Sequence, residues 1–253
     1  MSESLSLFVL VWGLVGLLLG GFSKGALGLG LPLIAVPILA LAMPVPIALA
    51  ILTIPIFITN IWQSMQGGHL STVWRRFWST GVALMVGIGL GTQVLVRLEP
   101  STLYFLMGSV VLLQPLTRLL KPSFVIEPRH VWWTGPLFGG LSGLLGGMTG
   151  FYGIVLIVYL TMLRLPKDIF TATIALMFLL GGTAMGIFLA QASILAGTVL
   201  LYSVLALIPT VIGIRVGMSL RLRISQAQFE KGVTVMMVLM ALSLYAKGVW
   251  EGN

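Results

Sequence analysis

Gly20-Gly-Phe-Ser-Lys-Gly-Ala-Leu-Gly-Leu-Gly30 sets five glycines and one lysine between two apolar runs, residues 5–21 and 26–43. Glycine at this density frays a helix and lets backbone approach a ligand closely. At membrane depth such backbone is tolerated only where it lines a cavity or is buried in protein. The reading of the stretch therefore turns on whether the runs around it lie in a bilayer.

Composition answers that. Of the 253 residues, 58% are hydrophobic and 8% are charged, against about 25% charged in a soluble domain. Mean hydropathy is +1.10. A soluble fold would leave most of this surface apolar, whereas the bilayer is the solvent that accepts it. The formal charge of +8 does not indicate nucleic acid, because the basic residues sit in short gaps between apolar runs, as the positive-inside rule requires. The chain has no cysteine, and its two histidines, His69 and His130, both lie in gaps. Thiolate chemistry is excluded, a histidine metal site or haem is not expected, and no cofactor is implied. Ser2-Glu-Ser4 carries no positive charge ahead of the first run, unlike a cleaved signal peptide.

Ten apolar segments are expected, at 5–21, 26–43, 46–65, 77–96 and 102–119, then 131–146, 150–163, 169–190, 194–214 and 229–246. A spanning helix needs about 20 residues. Several segments reach that length, while the first two of each set are shorter or broken by glycine. The polar stretch Lys121-Pro-Ser-Phe-Val-Ile-Glu-Pro-Arg-His130 divides the chain into 1–120 and 131–253, with 121–130 as a cytoplasmic linker.

The two parts look related. Arg97-Leu-Glu-Pro-Ser101 and Arg221-Leu-Arg-Ile-Ser225 share R-L-x-x-S, with Gly89 and Gly213 at matching distances before them. Gly20-Gly-Phe-Ser-Lys-Gly25 can be laid over Gly139-Gly-Leu-Ser-Gly-Leu144. The charge-rich gaps follow segments three, five, seven and nine: Arg75 and Arg76; Arg118, Lys121 and Arg129; Arg164 and Lys167; Arg215, Arg221, Arg223 and Lys231. Gaps of the other parity hold only Arg97 and Lys247. The rich gaps are thus cytoplasmic and both termini face outward. An odd number of segments per repeat inverts the second against the first, the plan of many secondary transporters. The expected fold is an all-α membrane protein of about 8–10 transmembrane helices in two inverted repeats with glycine-broken hairpins. Charge counting leaves open whether those hairpins span or re-enter.

The second break is Gly143-Leu-Leu-Gly-Gly-Met-Thr-Gly-Phe-Tyr-Gly153. Free N–H groups at the fresh helix start after each break form an anion site. The competing reading is that the glycines only let helices pack closely. Candidate substrate-binding residues in the first break are Ser23, Lys24, Gly25 and Gly28, with Lys24 adding charge to the helix-end dipole; alternatively Lys24 marks a cytoplasmic end. In the second break they are Gly147, Thr149, Gly150 and Tyr152. Asn60 and Gln63 are amide donors late in segment three that could orient an oxyanion or join helices. Arg215 could reach the bundle or snorkel to the interface. Trp74, Trp78, Trp132 and Trp133 read as an aromatic belt.

The six acids, Glu3, Glu99, Glu127, Asp168, Glu230 and Glu251, lie in gaps or at segment ends, so a carboxylate proton relay or sodium site is missing. The membrane potential, or a proton carried by the substrate, remains to drive flux.

Gly21-Phe-Ser-Lys-Gly-Ala-Leu-Gly-Leu-Gly-Leu-Pro32 resembles the first-repeat signature of the TauE/SafE sulfite exporter family. Gly147-Met-Thr-Gly-Phe-Tyr-Gly153, followed by Tyr159-Leu160 and Leu165-Pro-Lys167, resembles the second. The resemblance covers nearly the whole chain and implies a permease of the bacterial inner membrane. It implies a small anionic substrate such as sulfite or an organosulfonate, usually exported, and marks Ser23, Lys24, Gly25, Thr149, Gly150 and Tyr152 as motif positions. The chain departs from it at Gly153-Ile154, where many members have Gly-Pro. Partners are then the anion and the lipid bilayer, with no nucleic acid; homo-oligomerisation is left open.

Two other functions fit less well. A membrane scaffold or assembly subunit explains packing glycines but not two mirrored breaks with Lys24, Asn60 and Thr149. An intramembrane serine hydrolase would use Gly21-Phe-Ser-Lys-Gly25 as G-x-S-x-G, but the strand and the histidine partner of a nucleophile elbow are absent. The chain is not expected to be an enzyme.

Overall fold

A computed structural model describes residues 7–28, 30–119, 124–220 and 226–252. Lys121, Pro122 and Ser123 of the linker, Arg221–Ser225 of the second R-L-x-x-S pattern, and Ser2 to Ser4 lie outside the described residues; so do the side chains of Arg118 and Glu230. Among the described residues the chain is all helical, with no strand. The described residues form eleven α-helices in order: α1 (Leu7–Leu27), α2 (Leu31–Ala42), α3 (Val45–Met65), α4 (Leu70–Leu95), α5 (Pro100–Leu119), α6 (Val131–Thr149), α7 (Gly153–Met162), α8 (Lys167–Gln191), α9 (Gly197–Leu205), α10 (Leu207–Leu220) and α11 (Gln226–Glu251).

Among the described residues six helical stretches are long and apolar enough to cross a membrane, with α9 and α10 counting together as one. Helices α2 and α7, of 12 and 10 residues, are about 18 and 15 Å long at 1.5 Å per residue. Neither can cross about 30 Å of hydrocarbon by itself. Leu10 and Leu14 on α1, Val86 and Leu90 on α4, and Ile208 and Ile212 on α10 expose large apolar side chains, as bilayer-facing residues do. Trp74, Trp78, Trp132 and Trp133 are exposed near the starts of α4 and α6.

Several boundaries differ from those expected: α4 begins at Leu70 rather than 77, α2 at Leu31 rather than 26, and α10 and α11 run on to Leu220 and Glu251. Segment one was expected to fray at Gly21, yet α1 continues through Gly25 to Leu27. Segment nine is interrupted at Ala206, between α9 and α10. Pro209 has no N–H to give the Leu205 carbonyl, while the Thr210 N–H and hydroxyl both bond Ala206 O, at 3.2 and 2.8 Å.

The chain forms two compact units that do not follow the halves of the sequence. Unit 1 is Met1–Pro55, Leu98–Pro115 and Ile194–Asn253; unit 2 is Ile56–Arg97 and Leu116–Ser193. In unit 1 the α1–α2 hairpin packs on α10, and α11 packs on α2. In unit 2 the α6–α7 hairpin packs with α4 and α8. Each unit therefore pairs a hairpin from one half of the sequence with the fourth segment of the other.

Glycine makes both pairings. A β-carbon at Gly21 or Gly25 would run into the carbonyl oxygens of Thr210 and Ile214, and one at Gly213 or Gly217 into those of Leu18 and Phe22. In unit 2 the same holds for Gly143 and Gly147 against Leu84 and Ile88, and for Gly87 and Gly91 against Gly140 and Leu144. The two crossings share one register: Leu18 answers to Gly140, Phe22 to Leu144 and Ala26 to Met148, at constant separation in the chain. Ser142 thus answers to Gly20, about one helical turn from the expected overlay of Gly20 on Gly139. Gly146 answers to Lys24, and Gly150 to Gly28.

Candidate functional site

Of the five glycines in the opening motif, only Gly28 and Gly30 break the helix. Their φ values are 79° and 104°, the left-handed region glycine enters without a β-carbon penalty. Gly28 N–H still reaches back to Lys24 O at 2.7 Å. The chain then turns at Gly30 and begins α2 with Pro32 in its first turn and no side-chain cap. Pro32 has no N–H, and helix geometry leaves the N–H groups of Leu31 and Leu33 without intrahelical acceptors. Ile34 N–H bonds Gly30 O at 3.3 Å.

Two polar side chains stand at this helix start. Gly20 presses on Ala35 Cβ and Leu31 O, each 2.8 Å from an added β-carbon, so the Gly20 face of α1 is the α2 face. Ser23 and Lys24 are three and four residues on and share that face. Ser23 is 1% exposed, and its Oγ has no hydrogen-bond partner among the described residues. That oxygen lies 3.0 Å from where a β-carbon at Gly30 would be. Serine in a helix commonly satisfies itself on the preceding turn; this one does not. Lys24 is 6% exposed, covered by protein rather than extended to an interface. A buried hydroxyl, a buried ammonium and uncapped N–H groups at a helix start make a donor-rich place suited to an anion.

Gly25 belongs to the α1–α10 crossing, where it meets Ile214. Arg215 is on α10 but exposed, so it does not join the buried donors.

The candidates of the second break lie in unit 2, with their hydrogen bonds made locally. Thr149 Oγ1 donates to Leu145 O at 2.7 Å and accepts from Phe151 N–H at 3.2 Å. Gly150 turns the chain at φ 81°, and its N–H bonds Gly146 O at 2.6 Å. Ser142 donates its hydroxyl to Tyr152 O. Tyr152 is 2% exposed, sits edge-on to Phe178 at 5.1 Å, and donates its hydroxyl toward Phe178 O at 3.5 Å. Gly147 packs on α4. Asn60, buried on α3, donates from Nδ2 to Ile56 O at 2.8 Å, and Gln63 is half-buried one turn on.

Sequence reasoning placed an anion on the free N–H groups after the first break but did not single out Gly30, and in the second hairpin it passed over Ser142. Gly30-Leu-Pro32 carried a usable signal, since glycine before a proline in the first turn marks a helix start. Among the described residues no group of three or more metal-ligating side chains gathers.

No curated protein and no solved structure matches the chain. Residues 12–244 match the family described as sulfite exporter TauE/SafE. That match takes in α2, α7 and both glycine crossings, and the chain belongs to the sulfite exporter TauE/SafE family of multi-pass inner-membrane transporters.

Proposed function

We propose that the protein exports a small oxyanion, sulfite or an organosulfonate, bound at the start of α2 and released by alternating access of two inverted repeats. The observation that carries this reading is the unpartnered Ser23 hydroxyl beside Gly30, on the face of α1 that also bears the buried Lys24. One ammonium, one hydroxyl and the N–H groups of Leu31 and Leu33 suit a guest with several acceptor oxygens and little need to donate. Charge-assisted bonds of this kind are about twice as strong as neutral ones.

The shared register of the two glycine crossings supports a duplication, and the parity of the basic gaps supports its inversion. The exchange of fourth segments between units fits two halves that assemble around each other. Outward movement of an anion runs with an inside-negative potential, gaining about 2.3 kcal/mol per charge per 100 mV. Among the described carboxylates, Glu99, Glu127, Asp168 and Glu251 are all exposed, so none sits in the interior to bind a coupling cation. The family is one of transporters rather than enzymes; Ser23 beside uncapped N–H groups reads as a ligand, not a nucleophile.

The test is flux from proteoliposomes loaded with sulfite, methanesulfonate or sulfate under an imposed potential. Saturable sulfite or sulfonate efflux, slowed at least tenfold by Lys24→Gln, is expected. Flux equal to that of protein-free vesicles for every anion would sink the reading.

A further inference from the structure

Lys247 is the second lysine to turn inward in unit 1, at the other end of the same short helix. It lies late in α11, on the side of the membrane where the positive-inside rule asks for no cation. Its side chain is half-buried and turns toward α2, with the exposed Glu251 carboxylate four residues on in the same helix. It donates to Ala40 O at 2.9 Å and to Leu41 O at 3.1 Å, and it stands 4.9 Å from the centre of the Tyr104 ring. Ala40 and Leu41 are among the last four residues of α2, whose carbonyls have no intrahelical donor. Met43 N–H takes Leu39 O, and Lys247 takes the next two.

We propose that Lys247 is a positioning and electrostatic support for the anion site, acting through α2 from its far end. The inference rests on the reading that the start of α2 binds the anion. Two effects combine. Lys247 ties the end of α2 to α11 and Tyr104, which fixes the helix along its axis. Axial sliding would carry the Leu31 and Leu33 N–H groups away from Ser23, and the proline at Pro37 leaves one fewer ladder bond to stiffen the helix. The second effect is charge. A helix carries about half a positive charge at its start and half a negative charge at its end. A bound anion feels the repulsive far pole unless a cation covers it, and Lys247 covers it. Ten of the twelve residues of α2 are buried, so water screens little along this line. At about 18 Å and an effective dielectric of about 20, one unit charge changes anion affinity on the order of three- to fivefold.

Lys247→Met, Lys247→Gln and Lys247→Arg are compared for sulfite efflux in proteoliposomes, normalised to folded protein, with Ser23→Ala as reference. Lys247→Met is expected to raise KM about three- to fivefold with maximal flux per folded molecule near the parent's. Lys247→Arg, which keeps charge and donors, restores KM to within about twofold. A KM unchanged in Lys247→Met, with only a lower thermal midpoint, makes Lys247 a structural cap and overturns the inference. Should Lys247→Met not fold, Lys247→Gln decides: it keeps a donor but no charge, and an unchanged KM overturns the electrostatic role. If Ser23→Ala shifts KM and the Lys247 variants do not, this inference alone fails. If Ser23→Ala also leaves KM unchanged, the site at α2 fails with it.

Discussion

The two glycine-rich hairpins share a crossing register yet treat their polar groups in opposite ways. In α6–α7, Thr149 caps the turn, Ser142 bonds Tyr152 O, and the Tyr152 backbone packs directly on Gly146. In α1–α2, the counterpart of Gly146 is Lys24 and the Ser23 hydroxyl has no partner among the described residues, although the starts of α2 and α7 alike lack a side-chain cap. A buried donor left unmade costs about 1–3 kcal/mol, and a buried ammonium costs more. One hairpin bonds its serine and threonine hydroxyls locally; the other leaves the Ser23 hydroxyl unbonded among the described residues. The difference teaches that two hairpins built on one crossing register need not satisfy their polar groups alike.

The sharpest way to break the comparison is to remove the charge that only one hairpin has. Lys24→Gln keeps length and some donor capacity but no charge. A charged hydrogen bond is worth about 1.5–3 kcal/mol, so sulfite flux at subsaturating concentration should fall about 10- to 100-fold. Undiminished flux would reduce Lys24 to a topology signal. The mirror change is Gly146→Ala. Its β-carbon meets Tyr152 N and Cα at 2.8 and 2.7 Å, backbone that cannot swing aside. Overpacking of this kind costs about 1–3 kcal/mol, read as a lower midpoint of thermal unfolding in detergent. A parental midpoint would mean that the second hairpin is looser than its packing indicates.

How much of this was legible in the residues follows from where the free energy comes from. Membrane class and the run of helices come from local composition, and so does the choice of Ser23 and Lys24 on which the proposal rests. The location of the break did not. Gly20, Gly21 and Gly25 each weaken a helix by about 1 kcal/mol against alanine, so the motif reads as frayed. Close approach of the α10 and α2 backbones offsets that cost, and partners so distant in sequence are not written in the motif. The bonding of Thr149 was hidden for the same reason: only the fold places Leu145 O and Phe151 N–H on either side of it. The break at Ala206 was missed because the run through it is uninterrupted in hydropathy.

The paired serines sharpen the contrast. Ser23→Ala removes a hydroxyl that bonds nothing among the described residues, so stability should hold or rise slightly while KM for sulfite rises about three- to tenfold. Ser142→Ala leaves Tyr152 O without its donor, lowering stability by about 1–3 kcal/mol and leaving the KM of the folded fraction unchanged. If the two variants behaved alike, the asymmetry between hairpins would be one of sequence only.

The smallest expected effect is at Thr149. Thr149→Val is nearly isosteric, removes the donor to Leu145 O and leaves the Phe151 N–H, buried with its residue, without an acceptor. Leu145 O is less exposed to the loss, because a carbonyl keeps a second lone pair and the helix ladder still offers it the Thr149 N–H. The net cost should therefore be about 1 kcal/mol, visible as a modest fall in the thermal midpoint, with sulfite KM unmoved. Thr149→Ser keeps both bonds and should restore the midpoint. A rise in KM for Thr149→Val that Thr149→Ser reverses would show the second hairpin turning its hydroxyl toward the anion at some stage of the cycle, and the division of labour between the hairpins would have to be redrawn.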